Sequence, residues 1–344
     1  MDSKKVNIAD LVIEYEEFKA RYLEAASDFK KVTRFWNTFN PDPKGLLKNR
    51  QFLQLRDRMF ELLRSCKSIN ADAFTRIHKG HPYYFIGITS YLLDDFQTAI
   101  YFFDAAVTED IYYGADPVDN PKPSTHFLML EGEANYQSAK ELTKFAQTKV
   151  ERALEYYTKL TSNSEILELT LDDLRKEFIY YALMATDKPG LRTLVTAFIT
   201  YFIEWDFRND HFECEVKKGT SEPFFLHLFR GCILFESLMK LNPVISPKSK
   251  TIGGILQEPK IISKLKIKSI QGKKDGFVLE DIFDKSQRYD NSIDQAIQIS
   301  YMARNTLGHS LGWDANINQS QYRELYLIIG ASCLHVIACL WRKT

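Results

Sequence analysis

The sequence predicts an all-α protein in two parts: a helical-repeat-like scaffold over residues 1–186 and a helical bundle over residues 187–344. Three observations carry that expectation. Apolar residues recur at three- and four-residue spacing through most of the chain, whereas the period-two alternation of strands is scarce. Stretches rich in Pro, Gly or Lys, at NPDPKG (40–45), DPVDNPKPS (116–124), TDKPG (186–190) and 242–276, punctuate the pattern into antiparallel helix groups. With 344 residues, 45% apolar and 13% aromatic, the chain has ample material for a buried core.

Reading from the start, MDSKKVNIADLVIEYEEFKARY interrupts its apolar residues with charges, so it lacks the apolar core of a signal peptide. No run reaches the roughly 18 uninterrupted apolar residues of a membrane helix, and no membrane partner is expected. TRIHKGHPYY follows as a loop. Its Arg76 and His81 share a five-residue spacing with a later pair, and its His78 and His81 lack the companions a metal site needs, so no site is assigned there and no metal is expected.

Residues 83–110 read as two helices joined by a polar turn at Asp94 and Asp95. The pair resembles a tetratricopeptide unit, with Gly87, Ala99, Phe103 and Ala106 where that repeat sets small and aromatic residues. Residues 127–160 read as a degenerate second unit through Ala153 and Tyr157. Such scaffolds present concave surfaces, which makes a protein partner on the N-terminal region an expectation. HFECEVKKGTSEPFFL (211–226) is the one stretch expected to form a strand hairpin.

Two later helices carry charges where apolar residues belong. Around residues 222–241, Phe225, Phe229, Cys232 and Met239 share an arc centred on Glu236. Around residues 293–311, Ile293, Ile297, Ser300, Leu307 and Leu311 share an arc centred on Arg304. Opposite charges on two apolar faces predict that Glu236 and Arg304 pair, because an unpaired buried charge is costly. His309 lies on another side of an undisturbed helix, and Gly308 is the residue expected to let the last turn swing His309 toward Arg304, or to let the two meet residues from a second chain.

Arg304, polar Asn305 and His309, on a penultimate helix followed by the apolar stretch 321–341, resemble the arginine, polar residue, histidine signature of the HEPN superfamily. FESLMK, with Glu236 and Lys240, supports the likeness, which covers residues 187–344. The stretch of about 50 residues between the Glu236 and Arg304 helices is long for that family. The resemblance implies a metal-independent endoribonuclease, prokaryotic and toxin-like or defensive, acting as a homodimer whose two motifs line one cleft. It also implies the alternative of a non-catalytic adaptor that dimerises or binds RNA or nucleotide. In the enzyme, His309 would serve as acid or base, Arg304 would clamp the phosphate, and Asn305 would orient the substrate.

Charge and cysteine usage complete the expectations. Lys plus Arg equals Asp plus Glu, 45 each, so no global field marks a nucleic-acid or membrane binder and any such contact must be a local patch. One candidate is the insertion 242–276. Its lysines, Lys248, Lys250, Lys260, Lys264, Lys266, Lys268, Lys273 and Lys274, face the single acid Glu258 within 247–274; they are expected to hold RNA phosphates, with KIISKLKIK able to form an amphipathic strand. Five cysteines without a CxxC pair fit reduced thiols and a cytoplasmic setting. No cofactor motif is present, so no cofactor is expected.

Overall fold

The computed structural model describes residues 5–9, 11–116, 119, 121–131, 137–162, 168–185, 187–215, 221–243, 247–268, 270, 278–309 and 317–342. Among them the only sheet is a two-stranded hairpin and helices form the rest of the regular structure, as the spacing predicts for an all-α chain. Two compact units emerge, Met1–Phe145 and Ala146–Thr344. Their division falls inside the helix Gln137–Thr161, whereas the sequence expectation sets a boundary at residue 186. Pro189 and Gly190 open a long helix, where proline's missing N–H removes no intrahelical bond.

The first unit begins with β1 (Lys5–Ile8) and β2 (Leu11–Glu14), an antiparallel pair with Ile8 opposite Leu11. The sequence reading places no strand here, because four-residue strands offer too few alternations to register against helical spacing. Helices α1 (Tyr15–Ser27), α2 (Phe29–Phe39), α3 (Pro43–Lys48), α4 (Phe52–Ile69), α5 (Ala71–Arg76), α6 (Gly80–Leu92), α7 (Phe96–Tyr112) and α8 (Pro123–Leu128) follow. Helices α6 and α7 form the expected hairpin. Asp94 turns the chain at φ +60°, and the Asp95 carboxylate caps α7 by accepting from the Thr98 amide. A Cβ on Gly87 would lie 3.0 Å from the Phe103 ring, so the small residue sets how closely the two helices pack. Residues 127–160 do not form a second such hairpin. They hold the end of α8 and most of α9 (Gln137–Thr161), whose Tyr157 is buried in the second unit against His335.

The second unit continues with α10 (Leu171–Asp173), a π-helical turn (Leu174–Ile179) and α11 (Tyr180–Met184). Then come α12 (Pro189–Glu215), α13 (Glu222–Lys240), α14 (Ile252–Ile255), α15 (Pro259–Leu265), α16 (Leu279–Gln287), α17 (Ile293–His309) and α18 (Gln319–Val336), which passes into a π-helix ending at Trp341. Residues 211–215 and 222–226, expected as strands, are helical, while 216–220 lie outside the described residues. Gln319–Trp341 is, among the described residues, the one helix with the length and hydropathy of a membrane span, and 78% of that apolar window is buried inside the unit.

Helix α13 is packed by α12, α17 and α18. Gly231 is where three helices converge: a Cβ there would sit 2.7 Å from Tyr201 Cζ on α12 and 2.8 Å from Ile329 on α18. Two buried histidines brace the same bundle by one device. His227 donates from Nε2 to the Tyr201 carbonyl (2.9 Å) and accepts at Nδ1 from the Tyr322 hydroxyl (2.7 Å). His335 donates from Nε2 to the Leu265 carbonyl (2.7 Å) and accepts at Nδ1 from Tyr157 (3.0 Å). Each ring is satisfied only when neutral, and burial pushes their pKa values down, to about 3 for His227 and about 4 for His335.

Two outcomes follow from this core. Gly231→Ala should lower the unfolding free energy by about 1–3 kcal/mol through overpacking, whereas Gly190→Ala, with only Leu241 at 3.7 Å, should change it by less than about 0.5 kcal/mol in urea titrations. Both histidines have folded pKa values below their unfolded value of 6.5, so stability is complete above about pH 6.5 and falls as pH drops toward 4 and the unfolded chain takes up protons the fold refuses. Urea midpoints across that window should fall with acid, and a flat profile would contradict neutral burial.

Candidate functional site

The candidate site is assembled on α13 and α17. Ile297, Ser300 and Leu307 are buried on α17, and Phe225, Cys232 and Met239 on α13, so both apolar arcs pack as their spacing predicts. Glu236 and Arg304, the charges centred on them, form the expected ion pair, through Arg304 Nε and Glu236 Oε2. Glu236 Oε1 takes Lys240 from the next turn of α13. The carboxylate side chain is 7% exposed and that of Arg304 27%, so a buried anion is neutralised by two cations reaching inward from its edge.

Gly308 has a role different from the one expected. Helix α17 runs unbroken to His309, and Gly308 keeps helical geometry; the only glycine at positive φ among the described residues is Gly114. A Cβ on Gly308 would lie 2.9 Å from Arg304 Nη1, so the missing side chain makes room for the guanidinium one turn back rather than ending the helix. His309 therefore stays about 140° around the helix from Arg304 and is exposed. Asn305, next to Arg304, is half-buried. Arg304 is held at Nε, and its Nη atoms make no hydrogen bond among the described residues.

Within the basic insertion the described stretch 247–268 is folded, and its segment Pro259–Leu265 is helix rather than strand. Ile261 and Leu265, four apart on α15, are fully buried, and Ile252 and Ile255 anchor α14. A Cβ on Gly253 would approach the Tyr301 hydroxyl of α17 at 2.9 Å, and the Lys268 amide donates to Asp294 at the start of α17 (2.8 Å). Lys248, Lys250, Lys260, Lys264, Lys266 and Lys268 are exposed along this seated segment. Lys273 and Lys274 lie outside the described residues.

Two features of the second unit escaped the sequence reading. Glu204 of α12, 2% exposed, holds Arg230 through both carboxylate oxygens (2.8 and 3.1 Å) and Arg208 at 3.1 Å. A cavity of about 240 Å³ is lined by Lys149, Arg152, Trp205, Arg323 and Tyr326, with Lys149 paired to Asp206. Both gather residues from distant segments, which no local spacing reports; a charge on the hydrophobic α12 at Glu204 was the one available signal.

No family model, curated protein or solved structure matches the chain significantly. The site is therefore interpreted from its own chemistry.

Glu236→Gln should cost about 2 kcal/mol in thermal or urea unfolding, below the range for a fully buried pair because Arg304 keeps part of its side chain in solvent. Lys240→Ala, removing the more exposed partner, should cost less than about 1 kcal/mol. A Lys240→Ala loss equal to that of Glu236→Gln would show that Lys240, not Arg304, carries the pairing.

Proposed function

We propose that the second unit is a metal-independent endoribonuclease of HEPN type, cytoplasmic and toxin-like or defensive, that acts as a homodimer. The observation that carries this reading is Arg304 gripped at Nε by a buried carboxylate, its Nη edge left for a phosphate, on the same last turns of α17 that expose His309. An arginine fixed by a buried acid is preorganised to stabilise the charge of a pentavalent phosphate. His309 would take the 2′-hydroxyl proton, and His309 of the partner subunit would protonate the leaving oxygen.

The helix geometry supports a homodimer. Arg304 and His309 point to different sides of one α17, so a site that uses both draws them most simply from two copies. Asn305 would orient the substrate between them. The exposed lysines of α14, α15 and the residues after them would track the RNA backbone. The first unit would supply the contact with a protein partner. A non-catalytic RNA-binding adaptor is favoured by one specific feature, the full use of Glu236 in ion pairing, which leaves no carboxylate in the cluster as a base.

Incubation with mixed RNA in EDTA decides between them. Wild type should yield 2′,3′-cyclic phosphate ends, and His309→Ala should lose at least about 100-fold in rate. Equal activity in both proteins, or none in either, would favour the adaptor. Replacing Lys260, Lys264 and Lys268 with Gln should flatten the slope of log affinity against log salt by about 2 on single-stranded RNA. An unchanged slope would remove the insertion from the RNA path.

A further inference from the structure

The first unit holds a cavity of about 590 Å³ between α2, α6, α7 and the start of α8, within the roughly 300–1,000 Å³ range of small-molecule sites. It lies in the segment whose histidines the sequence reading passed over. The loop before α6 is tied down at successive residues. Trp36 Nε1 donates to the His78 carbonyl (2.8 Å), and the Lys79 amide donates to Glu109 (3.0 Å). The buried Lys79 ammonium donates to the carbonyls of Phe74 (3.1 Å) and Ile77 (2.8 Å) and pairs with Glu109 (3.1 Å). Spending a buried lysine on loop geometry fixes one side chain in the cavity wall, His78.

His78 is oriented in turn. Its Nε2 donates to Asp110 Oδ1 at 2.9 Å, leaving Nδ1 as the acceptor of the neutral ring. Gly80 is the space this pair needs: a Cβ there would lie 2.6 Å from His78 Cε1 and 2.9 Å from Asp110 Oδ1. The second histidine is set by a buried relay. Arg58 donates to the Asn40 side-chain oxygen (3.3 Å) and to the Pro41 carbonyl (2.8 Å), so the Asn40 amide nitrogen faces His81 Nε2 (3.2 Å) and donates to it. His81 thus carries its proton on Nδ1, a donor with no hydrogen-bond partner among the described residues. Burial holds the His81 pKa down near 4, so this state persists at neutral pH.

The remaining walls have one cation and a flat apolar surface. Lys122, half-buried at the head of α8, has no ion pair among the described residues. Phe29 and Tyr113 stack at 5.2 Å and 17°, with His78 edge-on to both. We propose that this cavity binds a small organic anion with a flat body: Lys122 pairs with its carboxylate or phosphate, His81 donates to it, His78 accepts from a hydroxyl or amino group, and the aromatic wall covers the ring. The site lies wholly in the first unit and does not depend on the ribonuclease reading.

The test is fluorescence titration of the full chain with anilinonaphthalene sulfonate, an aromatic anion, with salicylate and adenosine monophosphate as competitors. One dye should bind per chain and be displaced by at least one competitor, by salicylate if the site takes carboxylates and by the nucleotide if it takes phosphates. Lys122→Gln, at a half-buried position that leaves the fold intact by circular dichroism, should weaken dye binding about tenfold. Arg323→Ala, in the cavity of the second unit, should leave it unchanged. A dye affinity equal in wild type and Lys122→Gln, or displacement by neither anion, overturns the proposal.

Discussion

Helix α13 must be buried on three sides while carrying a carboxylate, and much of the second unit is arranged around that requirement. An isolated carboxylate in this position would be expensive, so Glu236 draws Lys240 from its own helix and Arg304 from α17. The pair fixes how α17 lies along α13, because the arginine must reach inward across an apolar face. Gly308 follows from the same constraint. The guanidinium lies beside Gly308 one turn later on its own helix, and a side chain there would push it from its present position. A motif that reads as arginine, glycine and histidine in one dimension is, in three, an ion pair with its clearance and a histidine outside both.

This explains which features were legible in the sequence. Glu236 and Arg304 could be matched because each broke a 3.6-residue apolar stripe, and stripes are local. The α6–α7 hairpin was legible for the same reason: Gly87 and Phe103 belong to two adjacent helices and a short turn. What needed the fold was every relation between distant segments. Asp110 lies 32 residues from His78, and Asn40 lies 41 from His81, so TRIHKGHPYY showed two histidines without the partners that give them a role. Pro189 is ambiguous in sequence because it serves equally well to open a helix, as it does here, and to end a domain. Alternation of Lys with Ile and Leu in KIISKLKIK fits a strand, yet Ile261 and Leu265 also stand one helical turn apart, and burial of that pair prevailed.

The described histidines separate into classes by what their ring nitrogens meet. His227 and His335 are closed, with a carbonyl on one nitrogen and a tyrosine hydroxyl on the other, and they act as neutral struts in the bundle. His78 and His81 each have one nitrogen fixed by the protein and the other facing no hydrogen-bonding partner among the described residues. His309 is exposed, with neither nitrogen engaged among the described residues. Chemistry requires a nitrogen that can exchange a proton or a hydrogen bond with something outside the fold. The struts fail that condition, the pair in the first unit meets it with preorganised geometry, and His309 meets it without any.

That last contrast bears on how a ribonuclease could be built here. A preorganised base has an orienting group, as Asp110 orients His78, and preorganisation is a large part of catalytic power. Among the described residues Arg304 has such support and His309 does not. If His309 works in catalysis, the substrate or a second copy of the chain would supply orienting contacts that the described residues do not. The site would then be assembled only in the active dimer, and the monomer would be inert through its missing half while retaining an intact Arg304 clamp. On the ribonuclease reading, a second copy of the chain would complete a site of which one copy supplies the Arg304 clamp.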